Sequence, residues 1–237
     1  MALCEKSFWM RSGMLLFILL ITSAFAQEGY PPEAVKIQYE MGKRAFIKNS
    51  SCFPVTVFVN AKDFQVNPMS EAGIERDQWG SWNWHPGRIG SINERSVLSP
   101  LKTKQAVDFG PNTGDTHHDQ FIFSYDFTVP EGTSVYAMES GTVARIVQHY
   151  QMAHQDKNRL QEVNKVEVLH ADGSVADYVH LKPGSVSLKL CDKVESGQLI
   201  GQSGHNGFSS GPHLHVDIQR PMENGKFHTI PLRFLSK

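Results

Sequence analysis

Two histidines stand two residues apart in Gly211-Pro212-His213-Leu214-His215-Val216-Asp217-Ile218. On a strand, residues i and i+2 point to the same face, and the β-branched residues after His215 favour a strand. One imidazole can then hold a metal while the other stands beside a metal-activated water. On a helix the same spacing would send the rings to different sides. A lone pair of this kind is more often hydrogen-bonded without a metal. This pair is not alone. Tyr178-Val179-His180-Leu181 offers a third histidine in a β-like run, and Ser124-Tyr125-Asp126-Phe127 offers a carboxylate among aromatic residues. A buried acid there is costly unless it is paired or bound to a cation. The blander readings are an exposed strand histidine for His180 and a strand-end turn acid for Asp126. Taken together, the ligand types and spacing argue for a metal hydrolase.

The elements that must position these residues read as short strands between Gly and Pro. Candidates are Ser134–Ala137, Thr142–Val147 entered through Gly141, Lys165–Leu169 and His215–Ile218. Such spacing predicts an all-β architecture. Upstream, Val55-Thr56-Val57-Phe58-Val59 reads as a strand entered through Pro54. Residues 46 to about 100 read as a small β module or extension that packs on the C-terminal half of the chain. Residues 27 to about 45 read as a polar leader, partly helical. The segment 151–163, rich in Gln, Lys, Arg, Leu and Glu, is either a helix or a polar insertion between strands. Trp79, Trp82 and Trp84 form either a hydrophobic cluster between strands or a sugar-stacking surface, and packing is the commoner use. The glycines of 197–211 lack the Gly-Lys-Ser/Thr ending of a phosphate loop and fit turns better.

The start of the chain reads as a secretory signal. Lys6 and Arg11 precede the apolar run Met14–Ile21, and Ala24-Phe25-Ala26 is a small-x-small cleavage site. The run is short of the roughly 20 apolar residues that span a bilayer, so stable membrane insertion is not expected. The expected organisation is a signal peptide over 1–26, a leader and small β-rich module over 27–100, and a catalytic domain over 101–237. A net charge of −1 without a basic block disfavours nucleic acid as a partner. Removal of the signal leaves Cys52 and Cys191. In an oxidising compartment they form either one disulfide or two buried thiols.

Three blocks in order resemble the lysostaphin-type (LytM) peptidases. They are Tyr125–Ala137, Asp172-Gly173-Ser174 through Leu181, and Val194–Gly204 running into Gly211–His215. The resemblance covers about 117 to 220. It implies a compact antiparallel β-sheet peptidase domain of the duplicated hybrid motif type, here with a β-rich N-terminal extension. It also implies Zn2+ held by Asp126 and His215, with His180 and His213 as catalytic histidines. The usual first ligand lies four residues before the aspartate, a position occupied here by Ile122, which cannot bind zinc. Members with a run similar to Tyr125-Asp126-Phe127 carry a histidine further upstream, and that match points to His117 rather than His118. The implied activity is zinc-dependent endopeptidase cleavage of peptidoglycan cross-links or stem peptides by an exported, periplasmic or extracellular protein. The rival reading is an inactive module of the same fold that binds peptidoglycan or activates another wall hydrolase.

Overall fold

The computed structural model describes residue 30 and residues 34–235, except 40–44, 61, 75–81, 92, 103–106, 109, 112, 114–116, 118 and 223–225. The segment 1–26, read above as a secretory signal, lies outside the described residues. Among those described, no helix is long and apolar enough to cross a membrane.

The architecture is all-β. Seven strands form the main sheet: β8 (Tyr125–Thr128), β10 (Gly141–Val147), β12 (Lys165–Leu169), β13 (Val175–Val179), β14 (Lys193–Val194), β17 (His213–Pro221) and β18 (Phe227–Thr229). Their order is β14-β10-β12-β13-β17-β18, every pairing antiparallel. The nine-residue β17 is long enough to take two partners on one edge. Its first half pairs with β8 and its last three residues pair with β18. Beside this sheet, β9 (Ser134–Tyr136) pairs antiparallel with β15 (Leu199–Gln202).

Period-2 alternation gives the main sheet two different faces. One carries Phe127, Val143, Val166, Val168, Ala176, Tyr178, Leu214, Val216 and Ile218, all in one buried apolar core. The Tyr178 hydroxyl accepts from the Met138 N–H at 2.7 Å, so its only polar side-chain atom is satisfied there. The opposite face carries a row of charge. Arg145, Glu167, Asp177 and Asp217 are successive cross-strand neighbours on β10, β12, β13 and β17, and all are buried. Lys165 Nζ reaches Glu167 at 3.0 Å and Asp177 at 2.7 Å.

An N-terminal module covers the far end of this polar face. It consists of a sheet of β1 (Val35–Tyr39), β2 (Ala45–Asn49) and β5 (Ser70–Ile74), and another of β3 (Val55–Val59), β4 (Lys62–Val66) and β6 (Trp82–Pro86). Its core residues Ile37, Ile47, Phe53, Val57 and Ile74 pack together with Ala144, Leu169 and Val175 of the main sheet. The Tyr30 hydroxyl donates to Glu167, so the module also caps the charged row. Close backbone approach seals the seam. The Arg88 N–H donates to Gly173 O at 3.0 Å, and at Gly87 (φ 96°) a Cβ would lie 2.1 Å from that same oxygen. A Cys52–Cys191 disulfide, with Cα atoms 6.0 Å apart, ties the module to the loop before β14. Of the two sequence alternatives, the cysteines take the bonded one.

One expectation needs correction. The region read as a partly helical leader contains β1, and β2 begins at its end; each buries alternate residues. Of the two alternatives open for the segment 151–163, the second holds. It is an insertion holding the two-residue β11 (Ala153–His154), which pairs with β16 (Gly207–Phe208), and a single 3-10 turn, Lys157–Arg159, capped by the Asp156 side chain. The chain then turns inward because buried Asn164 anchors it through hydrogen bonds to Tyr150 and Leu181. β7 (Arg95–Leu98), near the end of the segment read as a module, pairs in parallel with the C-terminal β19 (Leu232–Leu235). As for the tryptophans, Trp84 packs on Tyr30, with ring centres 4.8 Å apart. Trp79 and the side chain of Trp82 lie outside the described residues.

Candidate metal centre

Strand register builds the centre. His215 on β17 and Asp126 on β8 are direct cross-strand partners on the polar face. His215 Nδ1 lies 2.8 Å from Asp126 Oδ1. His117 comes from the loop ahead of β8, and its Nε2 lies 3.3 Å from His215 Nδ1 and 3.4 Å from Asp126 Oδ1. That loop returns through a 3-10 turn, Asp119–Phe121, and is tied to β8 by an Asp108 N–H bond to Asp126 O. The His117 ring is 2% exposed, and its Nδ1 donates to the Gly110 carbonyl at 3.1 Å, which leaves Nε2 for the cluster.

These three side chains suit a metal ion. Each offers one ligand atom, and the three atoms lie within 4.8 Å of one another. Two imidazoles and a carboxylate form a donor set that zinc accepts, with a fourth position left open. Without the ion, shared protons take its place. Burial works against ionisation of Asp126, but hydrogen bonds from His117 and His215, and charge on His215 and His213, hold its carboxyl far below the usual range. Burial likewise disfavours a charged His215, yet Asp126 and Asp217 outweigh it and push the ring up to about 10. A cation binding here would displace those protons.

His180 and His213 border the same point. Their ring centres lie 4.3 Å apart, and His180 lies 6.3 Å from His215. His180 directly follows β13 with φ 62°, a left-handed conformation uncommon for a side-chain-bearing residue. The surroundings over-determine it. Its Nδ1 donates to Asn206 O at 2.7 Å, while the Asn206 side chain binds Asn164 N and Leu181 O. His213 Nδ1 donates to Gly211 O at 2.9 Å. In both rings Nε2 is thus the free basic atom. Burial, with nearby His213 and His215, lowers His180 to about 3, and burial also lowers His213.

All five residues singled out in the sequence meet in one place. Ile122, at the usual first-ligand position, is only partly buried in the turn after Phe121. Among the described residues of this loop, His117 brings an imidazole within reach of Asp126 and His215. His118 lies outside the described residues. The sequence reading missed Asp217, whose Oδ2 lies 3.3 Å from His215 Nε2, and the Asn164–Asn206 clamp behind His180. For Asp217 a signal was present, since it continues the same-face alternation of His213 and His215. The asparagines gave none.

Residues 120–228 match the family described as Peptidase family M23. The chain carries a peptidase family M23 domain. Asp126, His180, His213 and His215 fall inside the M23 segment, and His117 lies just ahead of it. Three curated relatives are similar to part of this chain. Glycyl-glycine endopeptidase ALE-1 of Staphylococcus capitis is 32% identical over 137 residues, 56% of this chain and 33% of that protein. Peptidoglycan DD-endopeptidase ShyA of Vibrio cholerae is 33% identical over 93 residues, 39% of this chain and 19% of that protein. An uncharacterized metalloprotease of Buchnera aphidicola is 31% identical over 110 residues, 46% of this chain and 25% of that protein. The chain thus spans a third or less of each. Among solved structures, lysostaphin from Staphylococcus simulans is 23% identical with a TM-score of 0.41, covering 56% of this chain and 51% of that one.

Proposed function

We propose that this M23 protein is a zinc-dependent endopeptidase that hydrolyses peptide bonds in peptidoglycan cross-links or stem peptides. The observation that carries the reading is the convergence of His117, Asp126 and His215 beside His180 and His213. The endopeptidase names of two relatives support the substrate class. The reading includes export directed by residues 1–26, a module over 27–100 and a peptidase domain over 101–237.

In this reading His117, Asp126 and His215 hold Zn2+, which supplies Lewis acidity that activates water near neutral pH and polarises the scissile carbonyl. The chain's own work is proton movement and alignment. His180 and His213 are kept neutral by burial, and each has Nδ1 committed to a backbone carbonyl. Nε2 of one ring accepts the proton lost by the attacking water. That imidazolium then returns the proton to the departing amine, while Nε2 of the other ring accepts a hydrogen bond from the attacking water and so orients it. Asp126 lies close enough to steady the transient positive charge.

The test is to incubate the purified protein with peptidoglycan, with and without a chelator, and identify the released fragments. New amino termini that vanish with chelator and return with zinc are expected. If the protein binds no zinc and releases nothing, yet speeds a separate wall hydrolase, the activator reading replaces this one.

A further inference from the structure

We infer that Asp217 is a positioning residue for His215, fixing which ring nitrogen that histidine turns to the metal; the inference rests on the zinc reading above. Asp217 stands two residues beyond His215 on β17, on the same face, and is 1% exposed. Its Oδ2 lies 3.3 Å from His215 Nε2, while Nδ1 of the same ring faces Asp126 at 2.8 Å. A neutral imidazole carries one proton. A carboxylate behind Nε2 keeps it there and leaves the Nδ1 lone pair for the cation.

The placement is specific rather than incidental. Ser124, fully buried on the segment entering β8, donates its Oγ to the same Oδ2 at 3.4 Å. The serine and the carboxylate therefore link the strand pair that carries Asp126 and His215 from behind. Among the described residues, the buried Asp217 Oδ1 has no hydrogen-bond partner. Its cross-strand neighbour Asp177 likewise leaves Oδ1 unpartnered among them and offers it no compensating charge. A carboxyl group this deep is costly unless donors answer it. The His215 ring and the Ser124 hydroxyl answer it here, so the carboxyl and the ring hold each other in place.

The test compares wild type with Asp217→Asn and Asp217→Leu by two readouts. Zinc affinity is measured by chelator competition. The ring nitrogens of His215 are followed by 15N NMR in the metal-free protein. Asp217→Leu should weaken zinc binding roughly 10- to 100-fold, the usual effect of removing such a partner, with Asp217→Asn in between. The wild-type ring should show a protected, hydrogen-bonded Nε2–H that is lost in Asp217→Leu. Equal zinc affinity in all three proteins, with only a lowered melting temperature, would overturn the inference and leave the zinc reading standing. If Asp217→Leu does not fold, Asp217→Asn and the wild-type spectrum decide, and an unprotected Nε2–H in wild type overturns it. Wild type that binds no zinc but shows the protected Nε2–H would remove the proposed function while keeping Asp217 as the group that orients the ring.

Discussion

Asp126 and His215, 89 residues apart in sequence, face each other across β8 and β17 with Oδ1 and Nδ1 2.8 Å apart. Their meeting is a consequence of sheet register. A slip of one residue would drive His215 into the apolar core and bring Leu214 or Val216 to the polar face. The geometry of the centre is therefore set by the same apolar burial that holds the sheet together, with little left to loop conformation. Only His117 arrives by a loop.

Ligands and proton carriers should separate on mutation. Asp126→Ala and His215→Ala should lose zinc and peptidoglycan cleavage together. His180→Ala and His213→Ala should keep zinc and lose roughly 10²- to 10⁴-fold in rate, the usual scale for a positioned acid–base group. Zinc stoichiometry measured beside cleavage rate checks this. Wild-type rates in both His180→Ala and His213→Ala would show that the assigned roles are wrong.

The loop histidine gives a sharper comparison. His117→Ala should lower zinc content far more than His118→Ala, because His117 Nε2 lies within 3.4 Å of the other two ligand atoms. Metal analysis of the two variants is sufficient. Undiminished zinc in His117→Ala would remove it from the centre and revive the inactive-module reading.

How much of this was legible depended on how local the cause was. His213 and His215 could be read because strand alternation is a two-residue rule, and Lys165–Leu169 emerged with the bounds of β12 because alternating valines announce it. His117 was reachable through resemblance, since no propensity argument links it to a residue nine positions on. The charged row was not legible. Glu167 is answered by Arg145, Lys165 and Tyr30, from three separate places in the chain, and in isolation each reads as a solvated polar group. The segment 151–163 stayed open between helix and insertion because its composition favours helix, while tertiary anchoring at Asn164 decides its path.

The disulfide should contribute stability without touching the centre. Cys52→Ser with Cys191→Ser removes a link between residues 139 apart, a change that typically costs about 2–4 kcal/mol. Thermal unfolding should shift down while zinc stoichiometry stays unchanged. Thiol alkylation of unfolded, unreduced wild type provides the control: two reactive thiols there would mean the bond is absent from the isolated protein.

The charged row predicts a particular pH dependence. Burial, with Glu167 and Asp217 adding repulsion and Lys165 opposing, pushes Asp177 up to about 6. A carboxyl whose folded pKa lies above its unfolded value of roughly 4 binds its proton more tightly in the native state. Its stabilising contribution is therefore full below about pH 4 and is lost as pH rises towards 6. Asp177→Asn stays neutral throughout. Measured in chelator, the wild type should thus lose stability relative to Asp177→Asn across that window, by on the order of 2 kcal/mol. Lys165→Met should act the other way. It leaves Glu167 and Asp177 buried without their shared cation and should cost about 3–5 kcal/mol at neutral pH. Denaturant unfolding of the three proteins at several pH values decides the matter. A difference between wild type and Asp177→Asn that stays constant from about pH 4 to 6 would show that Asp177 is ionised throughout and that Lys165 dominates its surroundings.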